Sequence, residues 1–248
     1  MSQTTTVLIS GANRGLGLGL LKRFLLLPNH TVIAANRDPA NPTSQALNDL
    51  PKGEGSRLIV VKVDATSETD ALSAVKELQE KHGIKSLDIV IPNAAIVNGS
   101  PTVAEVDLEG LKQHMTTNVY GFLLLFQATR ELLRKSTKAP MLAPIGSTAG
   151  FLNDQPPIPN SYYGTTKAAL HWLAVRAAAE EPWLNVFVLL PGLVATDMGT
   201  AAADKFGFHE ILETVDSSCD GMFKIIQETS REKHSGKCVH SDGRIGTW

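Results

Sequence analysis

Short β-branched or apolar runs alternate with longer helical stretches along almost the whole chain. No other feature narrows the possible folds as much. The pattern predicts strands over residues 6–10, 31–35, 57–63, 87–91, 140–145, 185–190 and 237–240. Between them it predicts helices over residues 17–27, 44–50, 69–82, 108–134, 161–180 and 214–228. Every gap between strands is long enough for the dozen or so residues of a parallel crossover, so the order reads as βαβ units. Leu58-Ile59-Val60-Val61 is apolar at every position, as expected of a strand covered on both faces. The predicted fold class is α/β, a single doubly wound domain over 1–248. Its parallel sheet has about seven strands, with helices on both faces.

Composition excludes several kinds of function. The chain has 248 residues, 43% of them hydrophobic and 19% charged. A chain of that length buries about 70% of its unfolded surface, enough for a core without disulfide staples. A formal net charge of −2 carries no basic footprint for nucleic acid. No apolar run approaches the ~18 residues of a membrane span. Cys219 and Cys238 are too few for a disulfide scaffold or a four-cysteine zinc site. Met1-Ser2-Gln3-Thr4 lacks the basic and apolar regions of a signal peptide, so the expected setting is reducing and cytoplasmic. His30, His82, His114, His171, His209, His234 and His240 stand at no metal-ligand spacing and read as surface or satisfied core residues. No metal is expected.

The segment Ser10-Gly11-Ala12-Asn13-Arg14-Gly15-Leu16-Gly17 follows the first strand and opens the first helix. Glycines there let the backbone approach a pyrophosphate, and the helix N-terminus adds amide donors and a positive dipole. Gly11, Asn13, Arg14, Leu16 and Gly17 are the candidate cofactor contacts. A tight turn without a ligand is the alternative, and the strand-motif-helix context weighs against it. The second strand ends in Asn36 and Arg37 instead of an acidic residue. A guanidinium at that tip pairs with a ribose 2′-phosphate in a forked geometry, and Arg14 reaches the same group. Asp38 falls in the following turn. NADP is therefore expected over NAD, with two solvated arginines as the alternative. Asp64 and Ala65 follow the third strand, where an aspartate also serves as a helix cap.

Tyr163 and Lys167 stand four apart, on one face of a helix. A phenol with a pKa near ~10 is a poor proton shuttle at neutral pH, and a neighbouring ammonium is expected to lower that value. Ser147, after the fifth strand, is placed to hold a substrate carbonyl. Asn118, mid-helix, is placed to anchor a water that relays protons to Lys167. Tyr162 reads as an ordinary amphipathic-helix residue. Residues 153–160 and 200–209 read as surface loops beside the crevice.

These stretches resemble the short-chain dehydrogenase/reductase family from Val7 to about Val239. The first matches its T-G-x-x-x-G-x-G, with Ser10 in place of threonine. Pro92-Asn93-Ala94-Ala95 is similar to its N-N-A-G, departing at Pro92 and Ala95. Pro191-Gly192-Leu193-Val194-Ala195-Thr196 is similar to its P-G-x-V-x-T. Asn118, Ser147, Tyr163 and Lys167 match its catalytic tetrad in order. The resemblance implies a Rossmann-type fold, with the cofactor half over about 1–140 and the catalytic and substrate half over about 141–248. It implies that Asp64 binds the adenine amino group beside Ala65, and that Asn93, Ala94 and Ala95 allow close approach to the cofactor. Pro191, Gly192, Val194 and Thr196 would hold the nicotinamide carboxamide, and Tyr163 and Lys167 the ribose.

At finer grain the chain resembles the fungal norsolorinic acid ketoreductase group. The resemblance lies in Ser67-Glu68-Thr69-Asp70-Ala71, in residues 123–130, and in Ser241-Asp242-Gly243 with Trp248. It implies NADPH-dependent reduction of a ketone on an aromatic polyketide or other secondary metabolite. The implied partner is a small-molecule ketone, with neither nucleic acid nor membrane. A homodimer or homotetramer is implied, for which residues 123–126 and 170–175 offer apolar faces. The competing reading is an NADP-binding scaffold for a non-redox step such as a cyclisation, and the intact Tyr163/Lys167 pair speaks against it.

Overall fold

The computed structural model describes residues 4–248; residues 1–3, on which part of the signal-peptide expectation rests, lie outside the described residues. In chain order the first elements are β1 (Thr5–Ser10), α1 (Gly15–Leu26), β2 (His30–Asn36), α2 (Pro42–Gln45), β3 (Arg57–Lys62), α3 (Asp70–Glu80), β4 (Ile89–Ile91), α4 (Leu108–Met115) and α5 (Gly121–Arg134). Then come β5 (Met141–Leu142), α6 (Ser161–Glu180), β6 (Asn185–Val186), β7 (Val188–Leu190), α7 (Asp197–Phe206), α8 (Val215–Glu228), α9 (Arg231–His234) and β8 (Cys238–His240).

Alternation along β1 shows how the layers form. Val7 and Ile9 share one buried cluster with Leu20, Leu21 and Phe24 of α1 and Met222 and Ile225 of α8. Leu8, pointing the other way, belongs to a second cluster with Leu78 of α3, Leu125 of α5 and Leu170 of α6. Successive strand residues face opposite sides, so one strand feeds two helical layers. That is the doubly wound arrangement the apolar strands predict.

The main sheet has six parallel strands in the order β3-β2-β1-β4-β5-β6. The predicted strand over 185–190 is interrupted at Phe187, so β7 pairs with β8 in a two-stranded sheet. The ladder nevertheless runs on. Phe187 N donates to Leu142 O, Leu189 N to Pro144 O, and Gly146 N to Leu189 O. Seven strand positions therefore lie side by side, as the sequence pattern leads one to expect. Strand order reverses between β1 and β4, and the crevice beyond their carboxyl ends is where such sheets bind ligands.

Two helical expectations need correction. The helix predicted over 108–134 is not uniform, because Thr116–Tyr120 forms a π-helical turn in which Gly121 N donates to Thr116 O. The segment predicted as a loop over 200–209 is mostly helical, as α7. Thr196 caps its start by accepting Gly199 N, and Gly207, left-handed at φ +76°, caps its end. Glycines that read as loop markers include this helix stop. Residues 153–160 carry no helix or strand, in line with their prolines. Among the described residues no helix is long and apolar enough to cross a membrane.

Candidate active site

The glycine turn is braced from three directions. Gly11, left-handed at φ +61°, donates its amide to Ala35 O of β2. Asn93 Nδ2 donates to the carbonyls of Ser10 (2.9 Å) and Gly11 (3.0 Å). A Cβ on Gly17 would lie 2.3 Å from Gly11 O, so α1 begins this close to the turn only with glycine there. Ser10 has its own task. Its Oγ accepts the amides of Asn93 (3.0 Å) and Ala94 (3.1 Å). The hydroxyl ties β1 to the end of β4, where Pro92 cannot donate.

Asn36 is placed differently from Arg37. Its side chain is 1% exposed, accepts Ala12 N at 2.9 Å and donates to Ser44 Oγ at 3.2 Å. Asn36 therefore supports the glycine turn from below, and its amide is committed to protein partners. Arg37 is exposed and makes no ion pair among the described residues. Asp38 bonds the Ala40 amide in the turn. Arg14, the residue before α1, pairs with Asp197 at 2.8 Å, both exposed. The two close one side of a cavity of about 450 Å³ that Gly15, Ala195, Thr196 and Thr200 also line. Asn13 donates to Thr43 Oγ1 at 2.6 Å, and Asp64 accepts the Thr66 amide at 2.9 Å. Leu16 lies in the first turn of α1, half-buried. Ala65 and Ala94 line the same small cavity as Lys167, and Ala95 follows as a half-buried residue.

The catalytic candidates converge beyond β4, β5 and β7. Tyr163 and Lys167 project from α6, and the Ser147 hydroxyl, which accepts the Ala149 amide at 3.2 Å, lies near enough to the Tyr163 phenol to lower its pKa. Lys167 Nζ donates to Ile145 O at 2.7 Å and stands 5.4 Å from the Tyr163 ring centroid. Asn118, on the π turn, accepts Ile96 N (2.8 Å) and donates to Ile96 O (3.0 Å). It also donates to Thr166 Oγ1 at 3.0 Å, which joins the π turn to α6. A cavity of about 20 Å³, room for one water, lies between Ser10, Ala94, Asn118 and Lys167. On the facing turn Gly192 is left-handed at φ +83°, Val194 is buried, and the Thr196 hydroxyl caps α7. Pro191 O accepts the Ser218 hydroxyl at 2.7 Å, which fixes that turn on α8.

The electrostatics correct one expectation. Lys167 was expected to lower the Tyr163 pKa. Burial instead pushes the phenol up to about 12, opposed by the nearby Ser147 hydroxyl. Lys167 does not offset this, because its ammonium turns to the Ile145 carbonyl and burial pushes its own pKa down to about 8. Tyr163 thus keeps its proton at neutral pH, the state a proton donor needs.

Three contributors were not legible as such. Tyr162, read as an ordinary helix residue, is buried, donates to Asp107 and stacks on His114 at 5.0 Å. Thr166 bridges Asn118 and the Tyr163 carbonyl. His171 is buried against the Ser147 amide. The available signal was helical phase: Tyr162 and Thr166 are one turn apart, as are Tyr163, Lys167 and His171. Among the described residues no group of three or more His, Cys, Asp or Glu could hold a metal ion.

The family model for short chain dehydrogenase matches residues 5–206. A norsolorinic acid ketoreductase of Dothistroma septosporum is 44% identical over 253 residues, covering 100% of this chain and 94% of the relative. The norsolorinic acid ketoreductase of Aspergillus parasiticus is 38% identical, over 99% of this chain and 92% of the relative. Among solved structures, the NADPH-bound carbonyl reductase from chicken fatty liver superposes with a TM-score of 0.87. It is 30% identical and covers 99% of this chain and 100% of its own.

Proposed function

This chain belongs to the short chain dehydrogenase family, and on that premise we propose that it is an NADPH-dependent ketoreductase. Its substrate in this reading is a ketone on an aromatic polyketide or other secondary metabolite. The observation that carries the reading is the Tyr163 phenol beside the Ser147 hydroxyl, with Lys167 Nζ 5.4 Å from the centroid of its ring. A nicotinamide cofactor fits the crevice, because the glycine turn packs directly on the first turn of α1, which a side chain at Gly17 would forbid, and a helix N-terminus beside such a turn offers amide donors and a positive dipole to a pyrophosphate.

When bound, the cofactor supplies the hydride that the carbonyl carbon accepts. The protein's residues do the rest. Ser147 Oγ holds the carbonyl oxygen, and Tyr163 gives that oxygen its proton. Lys167 holds the ribose and, with Asn118 and a water in the small cavity between them, returns a proton to Tyr163. Arg37 and Arg14 take the 2′-phosphate, for which the exposed, unpaired guanidinium of Arg37 is the main support. Gly11, Asn13, Leu16, Asp64, Ala65, Asn93, Ala94, Ala95, Pro191, Gly192, Val194 and Thr196 line the remainder of the cofactor.

The proposal includes a homodimer or homotetramer in the cytoplasm. Trp172 of α6 and Tyr120 of the π turn, both exposed, offer apolar surface for self-association. The test of function is an NADPH-consumption screen across aromatic and aliphatic ketones with product analysis. Stoichiometric alcohol formation from an aromatic ketone is expected. NADPH binding without any alcohol product overturns the reading.

A further inference from the structure

Tyr163, Lys167 and His171 stand at successive four-residue steps on α6, and the third member lies against the main chain of Ser147. His171 Nε2 accepts the Ser147 amide at 3.3 Å. The ring is only 2% exposed. Phe151 meets it edge-on with centroids 6.0 Å apart, and Trp248 covers it at 5.4 Å. A Cβ on Gly146 would lie 2.6 Å from Nε2, so the ring approaches this closely because the residue before Ser147 is glycine.

The other nitrogen, Nδ1, has no hydrogen-bond partner among the described residues. A buried polar atom left without a partner calls for an explanation. Nε2 acts as acceptor and so carries no proton, which puts the proton of the neutral ring on Nδ1. The molecule leaves that N–H unpartnered while keeping the Nε2 lone pair on the Ser147 amide. Burial, reinforced by the Lys167 ammonium, pushes the imidazole down to about 3, which keeps it neutral and able to accept.

We propose that His171 is a positioning residue for ketone reduction. Its neutral ring, enclosed by Phe151 and Trp248, holds the Ser147 main chain so that Ser147 Oγ meets the Tyr163 phenol. Ser147 opens the short turn Thr148–Gly150, and Phe151 follows that turn directly. One segment thus carries the substrate-facing hydroxyl at one end and a wall of the histidine enclosure at the other. This role rests on the ketoreductase reading of Ser147 and Tyr163.

The test is steady-state ketone reduction by His171→Gln and His171→Phe, each with Ser147 intact and with Ser147→Ala, alongside direct titration of NADPH. His171→Phe is expected to lower kcat about tenfold with NADPH affinity unchanged, since small displacements of a positioning group cost this much. His171→Gln, whose Oε1 reaches the place of Nε2, is expected to keep most of the rate. With Ser147→Ala the His171→Phe effect should shrink below about twofold, because the two act as one unit. Losses that multiply independently in the two backgrounds overturn the proposal. The ¹⁵N spectrum of His171 gives a readout independent of turnover, and of whether His171→Phe folds. It should show the Nδ1-protonated neutral ring from about pH 5 to 8, and an Nε2-protonated ring overturns the proposal. Absence of ketone reduction by the unmodified protein overturns the ketoreductase reading, and the spectrum then decides the Ser147–His171 contact by itself.

Discussion

The Tyr162 phenol donates to Asp107 across fifty-five positions of sequence, and Asp107 is the residue that caps α4. The same carboxylate accepts Gly110 N at 2.7 Å, and His114 stacks on the Tyr162 ring. This joint fixes the start of α4 on α6, one position away from Tyr163. Tyr162→Phe keeps the ring and removes the bond. It is expected to lower the thermal midpoint by a few degrees while leaving NADPH affinity unchanged. An unchanged midpoint in differential scanning fluorimetry would show that the bond adds nothing to stability.

Tyr163→Phe is the sharper variant. It preserves the ring in its place beside Ser147 and deletes the proton. Ketone reduction is expected to fall by at least ~10²-fold, with folding and NADPH binding largely kept. Lys167→Ala should be at least as damaging. Since Tyr163 holds its proton up to about 12 while burial lowers Lys167 to about 8, any fall in the wild-type rate between pH 7 and 9 should follow the loss of the Lys167 charge and not phenol ionisation. Full turnover by Tyr163→Phe would exclude the phenol as donor.

Cofactor choice should follow Arg37. NADPH is expected to exceed NADH by at least ~10-fold in kcat/KM, the worth of one charge-assisted contact. Arg37→Asp should remove most of that preference. Equal use of both cofactors by the unmodified protein would assign the preference elsewhere.

The buried imidazole of His171 should also be visible in stability. Its pKa is lowered from 6.5 to about 3, so between those values the unfolded chain binds a proton that the folded chain does not. Its contribution is complete above pH 6.5 and is lost as the pH falls through that window. At pH 5 the loss is about 2 kcal/mol. Urea unfolding of the wild type and His171→Gln at pH 7.5 and 5 should show the steeper acid loss in the wild type. Other groups, such as His30 and His234, contribute alike to both. Parallel acid losses would mean that His171 takes up its proton in the folded state.

Much of this was legible from residue types and spacing. The turn from β1 to α1 could be read because its chemistry is local, with glycines and a helix start within eight residues. Tyr163 and Lys167 could be read because helical phase puts them on one face. Asn36 could be located but not interpreted, since its bond to Ala12 joins the end of β2 to the turn after β1, twenty-four residues away. α7 was missed because its stop signal, Gly207, also marks loops. Tyr162 and His171 were missed because their partners, Asp107 and Ser147, come from segments that only the tertiary fold brings to α6.

The π turn at Thr116–Tyr120 makes the long rod formed by α4 and α5 behave like a shaft with an offset coupling. Each residue advances a helix by about 100°, so one extra residue in a turn rotates everything after it relative to everything before. The face of α4 that meets Tyr162 and the face of α5 that meets the sheet are consequently set by separate frames, with Asn118 seated at the step between them. Each half can change its outward residues without disturbing the other's inward ones. A single deletion within the step would swing the two faces out of alignment, although it changed no core residue on either side.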